Sequence, residues 1–484
     1  MSRIVVGPFN RVEGDLEVTL EIEGGRVREA RVTVPLYRGF EQILVGRPVD
    51  DALVLAPRIC GICSVSQSLA ASNAIASFCG IQPARNGVLA TAIAHAAENV
   101  ADHLTHFHLF FMPDFARDAY AGASWWGELE ERFRAVKGRA AATFLPARAR
   151  LLETMGLIAG KWPHSLGFRP GGTTRALDLG DKVRARAILA DVRRFAETEL
   201  FGARLEAIGE IETLGDLERI ENAGGGDFAR FLRVARALAL YDLGRGPGTV
   251  MSVGAHPGVG EGGRALFRAG VMETASGQVA PLEIDRVRED PSRAWLTGED
   301  GSPARAVSEP DIEREGAYSW AKAPRYDGRT VEVGALARQL VDGSAIAAAL
   351  VRPSGATNVA ARVIARLVEV ARVIPAMERW VGEIERGAPF CEAGCQPSDG
   401  SGVGLVEAAR GSLGHWMTAR GGRITRYQIV APTTWNFSPR DGRGVPGPLE
   451  RALEGLTVGE EGAKSLAVQH VVRSFDPCMV CTAH

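Results

Sequence analysis

Arg58-Ile59-Cys60-Gly61-Ile62-Cys63 and Asp476-Pro477-Cys478-Met479-Val480-Cys481-Thr482-Ala483-His484 decide how this chain must fold. Each stretch holds a Cys-x-x-Cys pair, and the two stand near opposite ends of 484 residues. If they meet, four thiolates converge on one point. Soft thiolate ligands select zinc, nickel, copper(I) or iron over magnesium or calcium. A structural zinc held by four cysteines is the plain alternative. Against it, zinc knuckles sit in small, locally folded modules, and pairs this far apart add little local folding energy. Arg58 and Asp476 each stand two residues before a cysteine, which places charged hydrogen-bonding groups beside the thiolates. The first pair also leads into an Ala/Ser-rich helix, whose N-terminal dipole favours an ionised Cys63.

The composition, 46% hydrophobic and 24% charged, suits a folded protein with a large core. A net charge of −2 gives no electrostatic case for nucleic acid or an anionic membrane as partner. The longest uncharged stretch, 59–84, carries five Ser, two Gln, one Asn and two Gly. That reads as a segment buried in protein, and no direct membrane span is expected. No signal peptide is visible, because Pro8 arrives before any apolar region develops. A cytoplasmic location with free thiols follows as the expectation. The seven cysteines include Cys79, Cys391 and Cys395, which read as buried structural thiols and not as a disulfide framework.

The fold class expected is α+β and predominantly helical, as one domain over 1–484. Residues 1–50 form a β-rich part. Leu16–Ile22 and Val27–Val34 alternate around Gly24-Gly25 as a β-hairpin. Residues 51–275 and 345–425 form a helical core of long helices, with patterns near 139–158, 181–210, 227–243 and 357–386. The helix over 87–111 sets His95, Asn99, Asp102, His106 and Phe110 on one face. Residues 276–330 read as an irregular surface excursion, and 426–484 as the C-terminal metal-binding part. Gly258-Val259-Gly260-Glu261-Gly262-Gly263 matches a dinucleotide-binding string. It lacks a clear strand before it and a helix after it, so a glycine-rich turn is the better reading.

The motif set resembles the large subunit of nickel–iron hydrogenases. Besides the two cysteine motifs, Arg11-Val12-Glu13-Gly14, Arg38-Gly39-Phe40-Glu41, Gly160-Lys161-Trp162-Pro163-His164, Glu407-Ala408-Ala409-Arg410-Gly411 and Pro432-Thr433-Thr434-Trp435-Asn436 follow that family's motifs in family order. The resemblance implies that family's large-subunit fold and roles for its residues. Cys60, Cys63, Cys478 and Cys481 would hold nickel, with Cys63 and Cys481 bridging to an iron that carries carbon monoxide and cyanide. Such a centre splits H2 heterolytically. Cys478 would be the base and Glu13 would pass the proton on. Arg410, Asp102 and Asp476 would form a charged canopy, and Thr433 would bond a cyanide. Glu41, the Ile429 carbonyl and His484 would hold Mg2+. Arg58, Gln67 and His106 would lie behind the ligands, and Ile62 and Phe110 would line a gas path.

Electrons from H2 must leave. Cys79, Cys391 and Cys395 are too few for an iron–sulfur cluster, which takes four. A small subunit carrying iron–sulfur clusters is therefore expected, and maturation factors would install the metals. Where the family has His, Val, Leu and Pro, this chain has Gln67, Ile62, Phe110 and Ala409. This set resembles the hydrogen-sensing, or regulatory, hydrogenases, which signal to a histidine kinase. The larger Ile62 and Phe110 would narrow the gas path against oxygen; ordinary core packing is the other reading. The end at His484 fits a sensor, and equally a processed chain. An uptake hydrogenase feeding an electron-transport chain is the alternative. A non-catalytic scaffold with structural zinc is the remote one.

Overall fold

The computed structural model describes residues 2–392, 398–458 and 465–484. Its first sheet grows from the expected hairpin. Strands Glu17–Glu23 and Arg26–Thr33 pair antiparallel, Glu23 opposite Arg26. Gly24 and Gly25 take φ of 58° and 74° between them. A two-residue hairpin turn of this kind needs positive φ at both positions, which glycine adopts without strain. Alternation then buries Val18, Leu20, Val27, Ala30 and Val32 on one face. A third strand, Ser2–Val6, joins the edge with Val6 opposite Val18. Only the short β-branched run Ile4-Val5-Val6 signals it in the sequence.

Long helices build the centre. Arg85–Thr105 is buried on nearly every side, with Leu89, Ile93, Ala96, Val100 and Leu104 all inside, and it packs against Val359–Glu383. Ala-rich faces let such helices approach closely. Arg139–Ala159 and Leu179–Phe195 flank this pair. The Arg85–Thr105 helix runs into a π-turn at His106–Phe111. That turn breaks the helical period and rotates Phe110 away: it is half-buried, whereas His95, Asn99, Asp102 and His106 are buried.

Residues 400–420, grouped with the helical core by sequence, are instead two strands. Gly400–Ala408, Gly411–Arg420 and Arg423–Val430 form an antiparallel sheet. The middle strand is covered on both faces, so no polar–apolar alternation marked it. The sheet lies on the Ser64–Cys79 helix. Contact is so close that a Cβ on Gly404 would stand 1.9 Å from the Ala70 carbonyl oxygen, and one on Gly402 2.1 Å from that of Ala74. Ala408 pairs with Gly411, which leaves Ala409 and Arg410 as the tight connection between two buried strands.

The stretch 276–330 is irregular over much of its length but not confined to the surface. Strands Val287–Asp290 and Ala323–Tyr326 pair there, and Glu289 and Lys322 are buried. The Gly258–Gly263 string is a short turn, as expected, although a strand, Thr249–Ala255, does precede it. No helix among the described residues is long and apolar enough to cross a membrane.

Candidate metal centre

The two ends of the chain interlock. Helix Leu466–Ser474 delivers Phe475 and then Asp476, whose φ of 56° turns the backbone sharply before Pro477. The segment around Glu13 lies alongside: Met479 N donates to the Glu13 carbonyl at 2.7 Å and Glu13 N to the Pro477 carbonyl at 3.4 Å. Buried Asp114 fastens the same join. It accepts from Arg473 at 2.8 and 2.9 Å and pairs with Arg11 and His470, while Arg473 also bonds the Asn10 side chain at 2.7 Å. None of these links between distant residues was legible from local sequence pattern.

The interlock brings four sulfurs together. Cys60 Sγ lies 3.4 Å from Cys478 Sγ, Cys63 Sγ 3.2 Å from Cys481 Sγ, and Cys478 Sγ 3.0 Å from Cys481 Sγ. All four lie within 4.8 Å of one another, and no other group of three or more His, Cys, Asp or Glu among the described residues is placed to share an ion. Cys60, Cys478 and Cys481 are fully buried, and Cys63 is 9% exposed. Thiolates packed this closely repel one another in a low dielectric, so their joint ionisation requires a cation among them. Arg38, half-buried, clamps the arrangement by donating to both the Ile59 and Val480 carbonyls, one from each cysteine loop. In the sequence Arg38 stands out only as part of a motif, with nothing to mark its clamping role.

Charged groups cover one side. Arg410, carried by the tight strand connection, forks onto Asp102 at 2.6 and 3.0 Å, reaches Asp476 Oδ1 at 3.1 Å and bonds the Asp476 carbonyl at 2.8 Å. Despite burial, the two carboxylates hold Arg410 protonated, well above its usual range. Asp476 Oδ2 is buried without a partner. Thr433 Oγ1 accepts from Cys478 N at 3.2 Å, which leaves its own proton free to donate. His106 bonds the Arg473 carbonyl at 2.7 Å, and burial pushes its imidazole down to about 3. Glu13 is half-buried; burial and then the nearby Cys60 push its carboxyl up.

Gln67 is wholly buried, and His415 Nε2 lies 2.8 Å from its Oε1. Arg58 does not stand beside the thiolates. It is exposed and donates to the Val54 carbonyl one turn back, because the short helical turn at Ala56–Arg58 directs its side chain outward. Ile62 is half-buried between the first two cysteines.

A second cluster forms at the C-terminus. His484 Nε2 lies 2.7 Å from the Ile429 carbonyl and 3.4 Å from Glu41 Oε1, and Ile429 N donates to that same oxygen at 3.0 Å. Two residues of the 276–330 stretch join them. Lys322 Nζ reaches Glu289 at 3.0 Å and Glu41 at 3.9 Å. Glu289 Oε1 is buried and unpartnered. The Glu41 carboxylate, the Ile429 carbonyl and the His484 imidazole are donor types that suit a hard, oxygen-seeking cation that keeps several waters, whereas Glu289 is paired with Lys322.

The remaining cysteines correct the thiols-only expectation. Cys79 is disulfide-bonded, Cys391 is a half-buried free thiol, and Cys395 lies outside the described residues. Residue spacing carries no information about which distant thiols approach one another, so the sequence could not reveal this.

Three comparisons place this geometry among known proteins. The family described as nickel-dependent hydrogenase matches residues 38–119 and 142–484. The chain is 28% identical to the periplasmic [NiFeSe] hydrogenase large subunit of Desulfomicrobium baculatum, over 100% of this chain and 95% of that one. It is also 28% identical to the hydrogenase-2 large chain of Escherichia coli K12, over 100% and 97% of the two chains. The solved Ni–Fe–Se hydrogenase of D. vulgaris Hildenborough superposes with a TM-score of 0.84 at 26% identity, covering all of both chains.

Proposed function

Because this chain belongs to the nickel-dependent hydrogenase family, as a large subunit, we propose that it splits H2 at a nickel–iron centre held by Cys60, Cys63, Cys478 and Cys481. The observation that carries this reading is the meeting of four sulfurs within 4.8 Å, two from each end of the chain. The donor set fits the group: soft sulfurs for nickel and iron, and a free Thr433 proton and an unpartnered Asp476 oxygen beside them. When bound, a nickel–iron centre with carbon monoxide and cyanide ligands supplies the Lewis acidity and the electron acceptance that heterolytic cleavage needs.

The chain's own residues do the rest. Cys60, Cys63, Cys478 and Cys481 would hold the nickel, and Cys63 and Cys481 would also hold the iron. The Cys478 sulfur takes the proton. Glu13, tied through its backbone to both neighbours of Cys478, receives it next; its raised affinity for a proton suits a relay. Arg410 keeps a fixed positive charge over the sulfurs, oriented by Asp102 and Asp476. Thr433 would donate its free proton to a cyanide of the bound centre. Glu41, the Ile429 carbonyl and His484 would hold Mg2+, and Lys322 pairs with Glu289 beside them.

Electrons leave through an iron–sulfur small subunit. Beyond the four cysteines of the metal centre only three remain, fewer than the four that a cluster takes. Within the family, Gln67, Ile62 and Phe110 favour a hydrogen sensor in the cytoplasm that signals to a histidine kinase. The relatives named above are not described as sensors, and an uptake enzyme is the alternative. Infrared bands of metal-bound carbon monoxide and cyanide, with near-equal nickel and iron, are the expected outcome; zinc alone would overturn the whole reading. A co-purifying kinase and slow turnover separate sensor from uptake enzyme.

A further inference from the structure

A cavity of about 430 Å³ lies between the Ser64–Cys79 helix, the Arg85–Thr105 helix and the Gly254–Gly258 loop. Its walls are mostly apolar, yet two histidines face it. His95 and His256 are 4% and 3% exposed. His95 Nε2 and His256 Nδ1 are buried and have no hydrogen-bond partner. Two orphaned imidazole nitrogens in one wall are costly, since each forfeits its hydration without replacement. His256 adds backbone cost, at a φ of 51° that a non-glycine residue rarely adopts. Strain held in place by its surroundings is a mark of function. Here Trp380 does the holding: its ring lies 5.2 Å from the His256 ring, and its Nε1 bonds the Val259 carbonyl at 2.9 Å.

The ring spacing is compatible with one shared ion. The two imidazole centroids are 5.1 Å apart. Metal–nitrogen bonds of about 2.0–2.1 Å place two imidazoles on one tetrahedral ion with centroids roughly 5 Å apart. Charge agrees. Behind the histidines Arg338 stands between Glu369, at 2.8 Å, and Glu407, at 2.7 Å, so this trio leaves an excess of negative charge. Burial pushes His256 down to about 4 and His95 well below its usual value, so both present neutral lone pairs. The Glu407 carboxylate, which also lines the cavity, is already taken by Arg338, Ser412 and Val253 N.

We propose that His95 and His256 form a second metal site, separate from the four sulfurs, for a borderline divalent ion such as Zn2+, with cavity water completing its coordination. To test it, protein carrying its nickel and iron is dialysed against Zn2+ and its zinc counted. Wild type should hold one zinc more than either His95→Gln or His256→Gln, with nickel, iron and H2 turnover the same in all three. Equal zinc in wild type and variants overturns the proposal. Where a variant fails to fold, anomalous diffraction at the zinc edge from zinc-soaked wild-type crystals decides. A peak shared by His95 Nε2 and His256 Nδ1 is expected, and its absence from that position overturns the site.

Discussion

Arg410 and Asp102 meet through two parallel bonds, Nη1 to Oδ2 at 2.6 Å and Nη2 to Oδ1 at 3.0 Å. Lysine cannot reproduce this fork, because an ammonium is a point charge without a planar pair of donors. Arg410→Lys should keep the metals but lower H2 turnover by about 100-fold, the usual cost of losing a positioned charged donor. Metal analysis beside a dye-reduction assay separates the two effects. Unchanged turnover would remove Arg410 from the canopy.

Cys478 Sγ lies 3.4 Å from Cys60 and 3.0 Å from Cys481, so it is central to the sulfur cluster. Cys478→Ser replaces a soft ligand with a hard, weakly acidic one. Nickel content should fall towards zero and H2 uptake below detection. A variant with full nickel and activity would show that this sulfur is not a ligand.

Glu13→Gln keeps the backbone bonds to Pro477 and Met479, because they use no side-chain atom. It removes only the titrating carboxyl. Hydrogen–deuterium exchange should slow by about 100-fold, a typical share for one proton-transfer group. Infrared bands of the centre should stay in place. Exchange at the wild-type rate would exclude Glu13 from the proton route.

Ile62→Val with Phe110→Leu removes volume at two half-buried positions. If these side chains narrow a gas path, the double variant should lose activity in air while the parent keeps it. Equal survival in air would reduce both residues to ordinary packing and weaken the sensor reading.

Burial pushes the His415 imidazole down to about 3, and the ring is closed in by Gln67 and Tyr427, each at 2.8 Å. Its value in the unfolded chain is about 6.5. Between these limits the unfolded state binds the extra proton, so stability rises with pH through this window and is lost as pH falls from about 6.5. The slope is at most about 1.4 kcal/mol per pH unit for one histidine. Urea unfolding between pH 7 and 5 should therefore show a shallower pH dependence for His415→Gln than for wild type. Equal slopes would mean that His415 is not buried neutral.

The sequence announced the parts that depend on residue type at fixed spacing. The hairpin around Gly24-Gly25 and the Val359–Glu383 helix follow from period and turn chemistry. The four cysteines, Arg410 and His484 were legible because their motifs are distinctive. What it hid was pairing between distant residues and structure covered on both faces. Strand Gly411–Arg420 carries no clean alternation, since it is covered on both faces. Lys322 and Glu289 sit in an irregular stretch with no periodic signal, yet they reach the C-terminal cluster. Arg58 points outward despite standing two residues before Cys60, because proximity in sequence says little about direction on a short helical turn.

Gly402 and Gly404 have a bearing on chemistry that occurs at neither position. The helix they touch starts directly after Cys63, and the strand they belong to ends at the turn bearing Arg410. The distance from guanidinium to sulfur is thus gauged by two missing methyl groups. A single alanine there would wedge helix and sheet apart and mistune the reacting centre from a spot well outside it. Screens for damaging substitutions in such a protein should look along that seam as well as around the cysteines.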